Sequence, residues 1–312
     1  MRIAIFGTGG IGGYIGGRLA EAGEDVTFIA RARQLEALRN GGLRVDSIEG
    51  DFTLPHVRIT DDPEHAGTFD VVLLCVKAWQ VAQVARALSP MLGPESCVLP
   101  LQNGVEAPTI LAAELGSDKV LGGLCSLIAY VVAPGYVRHA GGKPFIRFGE
   151  LNDHRSERVI RLQHAFEHAR GLAIEIAPNI EAAMWEKFLF IATWGGVGSL
   201  ARAPVGILRT QPGTRKMLQQ AMTEIVIVAK ERGVDVPPDA PVTALELLDG
   251  MPPDGTASMQ RDMMAGLPSE LEAQTGAVVR LGREAGIETP VNALIYASLL
   301  PQELRARGLL DW

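Results

Sequence analysis

The sequence predicts an α/β protein: a parallel sheet flanked by helices in its N-terminal part, followed by a second, all-helical domain. Three observations carry that prediction. Short apolar runs alternate with helical stretches up to about residue 70, the pattern of βαβ units and a parallel sheet. A glycine-rich turn directly follows the first of those runs. Beyond Pro178 only helical patterning is left.

Taken in order, residues 2–6 read as the first strand, 12–22 as a helix, 25–30 as the second strand and 34–39 as a further helical piece. Buried-strand runs follow at 71–76, 97–101 and 120–132. The uncharged stretch 120–137 is long enough to raise the question of a membrane span. Its Gly122, Gly123, Ser126, Pro134 and Gly135, set among β-branched residues, read instead as a buried strand and a turn. Runs at 137–139 and 144–148 predict antiparallel additions, with Gly141-Gly142 turning between them. A charged helix over 155–170 and a strand over 173–176 then finish the sheet. Pro178 marks the boundary, so the expected domains are 1–178 and 179–312. The second is expected to hold helices at 180–192, 214–232, 242–248, 269–285 and 292–307. In the 214–232 stretch, Met217, Leu218, Ala221, Met222, Ile225, Val226 and Val228 fall mostly at helical spacing and read as core.

Composition narrows the class. Hydrophobic residues make up 47% and charged residues 21%, a globular balance that excludes disordered and collagenous chains. The net charge of −7 repels a phosphate backbone, which argues against nucleic acid as a partner. Cys75, Cys97 and Cys125 form no C-x-x-C pair and sit in apolar stretches, as free thiols do in a reducing cytosol. The N-terminus passes into the glycine turn without the features of a signal peptide. The expectation is a cytoplasmic protein with no membrane partner.

Gly7-Thr8-Gly9-Gly10-Ile11-Gly12 matches G-x-G-x-x-G between a strand and a helix, the context that makes the motif a dinucleotide-binding one. Glycines there allow the tight turn, close approach of backbone to pyrophosphate, and packing of helix on strand. The residue about 20 positions on selects the cofactor. The second strand ends in Arg31-Ala32-Arg33, with no carboxylate for a ribose 2′-OH. Arg31 suits a 2′-phosphate instead, so NADP(H) is favoured over NAD(H).

In an open α/β sheet the ligand lies beyond the carboxyl ends of the strands. Lys77, Trp79 and Gln80 follow one strand there, and Gln102-Asn103-Gly104 follows another. In the helical domain, Lys187 stands in an apolar helix, beside Phe188, Leu189, Phe190 and Ile191, and is expected to emerge from it into a cleft. Ser258-Met259 and Ser269-Glu270 follow further on, with Glu270 read as a first-turn carboxylate of a helix starting at Ser269. His164 and His168 lie one helical turn apart without a third ligand and read as a solvated face, so no metal is expected.

Gly7 to Gly12, Arg31, Lys77 with Gln80, Gln102-Asn103-Gly104, Trp185-Glu186-Lys187, and Ser258-Met259 with Asp262 and Glu270 together resemble the ketopantoate reductase family over essentially the whole chain. The resemblance implies a Rossmann-like domain, a helical domain like that of 6-phosphogluconate dehydrogenase, and a cleft in which NADPH reduces 2-dehydropantoate to (R)-pantoate for pantothenate and coenzyme A. It implies that Lys187 is the catalytic lysine, and that Glu270 fixes that lysine or a substrate hydroxyl. Asn103 is implied near nicotinamide and substrate, Ser258 at the substrate carboxylate, Arg31 at the 2′-phosphate, and Lys77 and Gln80 against the cofactor.

One departure bears on substrate. Members of the family commonly carry asparagines four and eight residues after the lysine, where this chain has Ile191 and Gly195. Thr193, Trp194 and Ser199 nearby offer a pocket for a different or more apolar branched 2-oxo acid. In the reaction, the nicotinamide gives hydride to carbon, and an ammonium, with its ordinary pKa of about 10.4, polarises the carbonyl and gives the proton. Two other readings stand beside this one. A 3-hydroxyacid dehydrogenase-like enzyme is disfavoured because Gly195-Gly196-Val197-Gly198 has no lysine soon after it. A non-catalytic NADP(H) sensor needs neither Lys187 nor Glu270. A homodimer is the commonest arrangement for such an enzyme, though no residue demands one.

Overall fold

The computed structural model describes residues 1–312. The chain forms two compact units, one of residues 1–102 and 107–180, the other of residues 103–106 and 181–312. In the first unit the chain runs through β1 (Arg2–Phe6), α1 (Gly10–Glu21), β2 (Asp25–Ile29), α2 (Ala32–Gly41), β3 (Leu43–Ser47), β4 (Phe52–Leu54), β5 (Arg58–Thr60) and β6 (Phe69–Leu74). It continues through α3 (Val81–Leu88), β7 (Leu92–Pro100), α4 (Ala107–Leu115), β8 (Leu121–Ala133), β9 (Tyr136–Glu150), α5 (Glu157–Glu167) and β10 (Ala173–Ile176).

Two five-stranded sheets result. The first has the order β5-β2-β1-β6-β7, all parallel, the Rossmann-like arrangement expected. Its central strand is buried on both faces, as a parallel sheet between helices requires. Ile3 and Ile5 join one core cluster, while Ala4 and Phe6 join another with Val81, Val84 and Leu88 of α3. The second sheet runs β10-β9-β3-β4, with β8 also pairing β9. Helix α1 lies between the sheets. A Cβ on its Gly16 would stand 2.6 Å from Ile5, and one on Gly17 2.8 Å from Phe52.

The second sheet corrects the expectation of a single one. The short strands β3, β4 and β5 lack strong apolar runs and gave no signal, and β10 pairs parallel to β9 rather than finishing the first sheet. Residues 137–139 and 144–148 belong to one long strand, β9, antiparallel to β8. Gly141-Gly142 is a bulge within it, opposite a register shift between Ser126 and Ile128. His139 Nε2 lies 3.1 Å and 2.8 Å from the carbonyl oxygens of Gly141 and Gly142, tying the bulge down.

The second unit is helical: α6 (Ile180–Ala201), α7 (Val205–Thr210), α8 (Pro212–Glu231), α9 (Ala240–Gly250), α10 (Ser258–Met264), α11 (Thr275–Glu284) and α12 (Pro290–Ala306). Phe188 and Leu189 of α6 pack into one core with Leu218, Met222, Ile225 and Val228 of α8, Val278 and Leu281 of α11, and Ile295 and Leu299 of α12. The helix expected from Ser269 starts later, at Thr275. Residues 269–274 form turns, because the Ser269 amide and hydroxyl are taken by Glu303. No helix is long and apolar enough to cross a membrane.

Candidate active site

β1 runs into Gly7, whose φ of +101° is a left-handed conformation that favours glycine. After the turn, α1 begins with Gly9 as N-cap, no capping side chain and no acidic residue in the first turn. A Cβ on Gly12 would overlap the Gly7 carbonyl oxygen at 2.0 Å, whereas one on Gly9 meets nothing within 4 Å. The helix therefore starts hard against the turn and leaves open ground before its uncapped N–H groups. Those groups and the positive end of the helix dipole suit a pyrophosphate. Gln34 braces the loop: its Nε2 donates to the carbonyl of the buried Thr8 at 3.0 Å, and its Oε1 accepts from the Gly135 N–H at 3.1 Å. Gly10 and Ile11 open the helix. The loop fits the phosphates of a dinucleotide.

Arg31, the exposed N-cap of α2, lines an open pocket of about 480 Å³ together with Asp61, Asp62, Glu64 and Arg86. The end of β2 offers no carboxylate, but β5 runs parallel beside it, Thr60 level with Ile29. The fold thereby brings Asp61 and Asp62 next to Arg31 from thirty residues away, a placement the sequence alone does not reveal. Asp62 is engaged locally, accepting from the Glu64 N–H at 3.0 Å and lying 2.7 Å from His65 Nδ1. The His65 hydrogen bond holds its carboxyl below the ordinary aspartate range. Arg86 Nε donates to Glu114 at 3.0 Å.

Past β6, the Lys77 ammonium lies 5.6 Å from the centre of the Trp79 ring. The Lys77 backbone N–H donates to Gln80 Oε1 at 3.2 Å, so Gln80 shapes the turn itself. Gln102, buried, donates to the carbonyls of Leu74 and Val76 at 2.8 and 3.0 Å, which ties the exits of β6 and β7 together.

In the helical unit, Lys187 is half-buried on α6. Its Nζ donates to Asn103 Oδ1 at 3.0 Å, and Asn103 Nδ2 donates to Glu270 Oε2 at 3.1 Å. The short segment carrying Asn103 is anchored by Glu106, which accepts from Arg280 Nε at 3.3 Å and Nη2 at 2.6 Å. The Glu106 hydrogen bond raises the Arg280 pKa above its ordinary value. Glu270, only 7% exposed, is positioned from behind. Glu303 of α12, 1% exposed, accepts from the Ser269 N–H at 3.1 and 3.0 Å and from Ser269 Oγ at 2.5 Å. It also accepts from Arg307 Nε at 2.6 Å, while Arg307 Nη2 donates to the Ser269 carbonyl at 3.0 Å. Nothing in the sequence around Glu303 sets it apart from the other polar residues of that helix.

The structure thus brings Lys187, Asn103 and Glu270 into one chain of hydrogen bonds. Ser258 is the exposed first residue of α10 and stands outside that chain. An ammonium held on an amide oxygen beside a carboxylate is equipped to give a proton to a carbonyl oxygen.

The chain matches the family model Ketopantoate reductase PanE/ApbA over residues 3–153 and Ketopantoate reductase PanE/ApbA C terminal over residues 179–303. It is 34% identical to the uncharacterized oxidoreductase YkpB of Bacillus subtilis (strain 168), over 96% of this chain and 98% of that one. It is 31% identical to the 2-dehydropantoate 2-reductase of Nostoc sp., over 96% and 94%. The crystal structure of 2-dehydropantoate 2-reductase from Geobacter metallireducens GS-15 superposes with a TM-score of 0.89 at 31% identity, covering 96% of this chain and 99% of that one.

Proposed function

Because this chain belongs to the ketopantoate reductase family, we propose that it reduces 2-dehydropantoate to (R)-pantoate with NADPH, as a cytosolic step toward pantothenate and coenzyme A. The observation that carries this reading is the hydrogen-bonded chain from Lys187 through Asn103 to Glu270. Lys187 holds a proton where a carbonyl oxygen can take it. Asn103 aims the ammonium, and the carboxylate of Glu270 fixes the amide in turn or accepts from a substrate hydroxyl. The loop from Gly7 to Gly12 holds the cofactor's phosphates, Arg31 its 2′-phosphate, and Lys77 and Gln80 flank it. When bound, the reduced nicotinamide supplies hydride to the carbonyl carbon. Ser258 takes the substrate carboxylate.

A second reading has its own observation. Ile191 and Gly195 put no polar side chain at the two positions of α6 four and eight residues after Lys187, which suits a more apolar branched 2-oxo acid. Likewise Asp61 beside Arg31 keeps NADH in play as cofactor. The deciding experiment follows oxidation of NADPH and of NADH by purified protein with 2-dehydropantoate and a panel of branched 2-oxo acids. NADPH-selective turnover of 2-dehydropantoate is the expected result. Turnover of another oxo acid alone keeps the Lys187 chemistry and moves the substrate.

A further inference from the structure

Two turns along α6 from Lys187, at Gly195, the helix carries no side chain. A Cβ there would stand 3.1 Å from Oε1 of Gln274 and 3.1 Å from Cε of Met259, tighter than most side-chain contacts. Both neighbours adjoin residues already singled out. Met259 follows Ser258, and Gln274 lies one turn past Glu270, its N–H donating to the Glu270 carbonyl at 3.0 Å. Gln274 is 2% exposed, and the hydrogen bonds it makes within the protein run through its backbone N–H and carbonyl. Trp194, seven residues from Lys187 and so on the same helix face, keeps its indole N–H buried without an acceptor.

A nearly buried carboxamide without a protein partner calls for an explanation, a missing ligand among them. We propose that Gln274 is a specificity-determining substrate ligand, its carboxamide hydrogen-bonding the hydroxyl group of a hydroxylated branched 2-oxo acid. Glycine at 195 favours that role, since a Cβ there would press the carboxamide oxygen and the Met259 methyl back by a few tenths of an ångström. Lys187 and Gly195 are two turns apart on α6, about 12 Å along the helix axis, and Gln274 lies one turn past Glu270, which ends the Lys187 chain. The polar contact comes from the segment after Glu270 rather than from α6 itself, where Ile191 and Gly195 offer none. This inference rests on the substrate reading above and extends it to a residue outside the Lys187 chain.

The test pairs two substrates on one carbon skeleton, 2-dehydropantoate and 3,3-dimethyl-2-oxobutanoate, which lacks the hydroxyl. Gln274→Leu is expected to lower kcat/KM for the hydroxylated compound roughly tenfold, mainly through KM, and to leave the other within about twofold. Gln274→Met, of similar length, is expected to behave in the same way. Calorimetric binding of pantoate and of its deoxy analogue gives a second readout that needs no turnover, with the same selective loss expected. An equal fall for both compounds, or no change for either, overturns the role of Gln274. Failure of the wild-type protein to bind or turn over either compound overturns the underlying substrate assignment, and the inference with it.

Discussion

The Lys187 ammonium donates to Asn103 Oδ1 at 3.0 Å while the same amide donates from Nδ2 to Glu270 Oε2 at 3.1 Å. An amide has one accepting and one donating end, so Asn103 serves both charges only in this orientation. In that orientation it bridges the ammonium and the carboxylate. Lys187→Ala is therefore expected to lower kcat by about 10²–10⁴-fold, the usual contribution of a general acid, with little change in thermal stability. Asn103→Ala is expected to fall in the same direction by a smaller factor, because the lysine loses its aim rather than its proton. Steady-state kinetics beside thermal denaturation checks both, and a Lys187→Ala protein at the wild-type rate refutes the role.

Arg31 shares its pocket with Asp61, and under the proposed function the two charges favour opposite cofactors. Arg31→Ala is expected to weaken binding of 2′,5′-ADP about 10- to 100-fold, the worth of a charge-assisted hydrogen bond of about 1.5–3 kcal/mol, and to leave 5′-ADP nearly unchanged. Asp61→Asn is expected to strengthen 2′,5′-ADP binding by removing a like charge from the phosphate. Fluorescence or calorimetric titration with these fragments decides the matter without the reaction. Equal losses for both fragments would show that Arg31 shapes the pocket rather than reading the phosphate.

The parts legible in the sequence are those set by local chemistry. The loop from Gly7 to Gly12 is readable because strand, turn and helix must follow one another there, and α6 is readable because an apolar run surrounds its single lysine. The second sheet is hidden: its β3 and β4 are five and three residues, too short to show a period, and β3 takes its place beside β9, far along the chain; β5, the three-residue edge of the first sheet, is equally silent. For the same reason Asp61 and Arg31 look unrelated in sequence. Glu270 was identifiable as a residue but not in its setting. It sits in a turn held by Glu303, whose partner Ser269 lies 34 residues away.

That brace gives a stability prediction. Glu303 is the acceptor for the Ser269 amide, the Ser269 hydroxyl and the Arg307 guanidinium, all at a site 1% exposed. Removing it strands three donors and leaves Arg307 without its carboxylate, so Glu303→Ala is expected to cost about 3–5 kcal/mol. Glu303→Gln keeps the shape and one acceptor and is expected to cost less. Because Ser269 precedes Glu270, both variants are also expected to lose activity. Urea denaturation gives the first comparison, and an undisturbed midpoint in Glu303→Ala would contradict it.

Glu150, at the end of β9, supplies the acid limb of the stability profile. It accepts from Arg158 Nε at 2.7 Å, Arg158 Nη2 at 2.6 Å and Ser156 Oγ at 2.6 Å, and Ser156 also caps α5. Burial alone would push its carboxyl up, but the hydrogen bonds from Arg158 and Ser156 and the guanidinium charge outweigh it and hold the pKa below the ordinary glutamate value of 4.5. The unfolded chain therefore takes up a proton at pH values where the folded chain does not. The stabilisation is fully present above the unfolded pKa and is lost as pH falls through the lower folded one. Glu150→Gln is expected to be less stable than wild type by about 1.5–3 kcal/mol near pH 7, with the gap narrowing once the pH drops below 4.5. Urea denaturation of both proteins across that range measures the gap directly. A difference that stays constant into acid would mean that the carboxylate's charge contributes nothing and that only the side chain's shape matters.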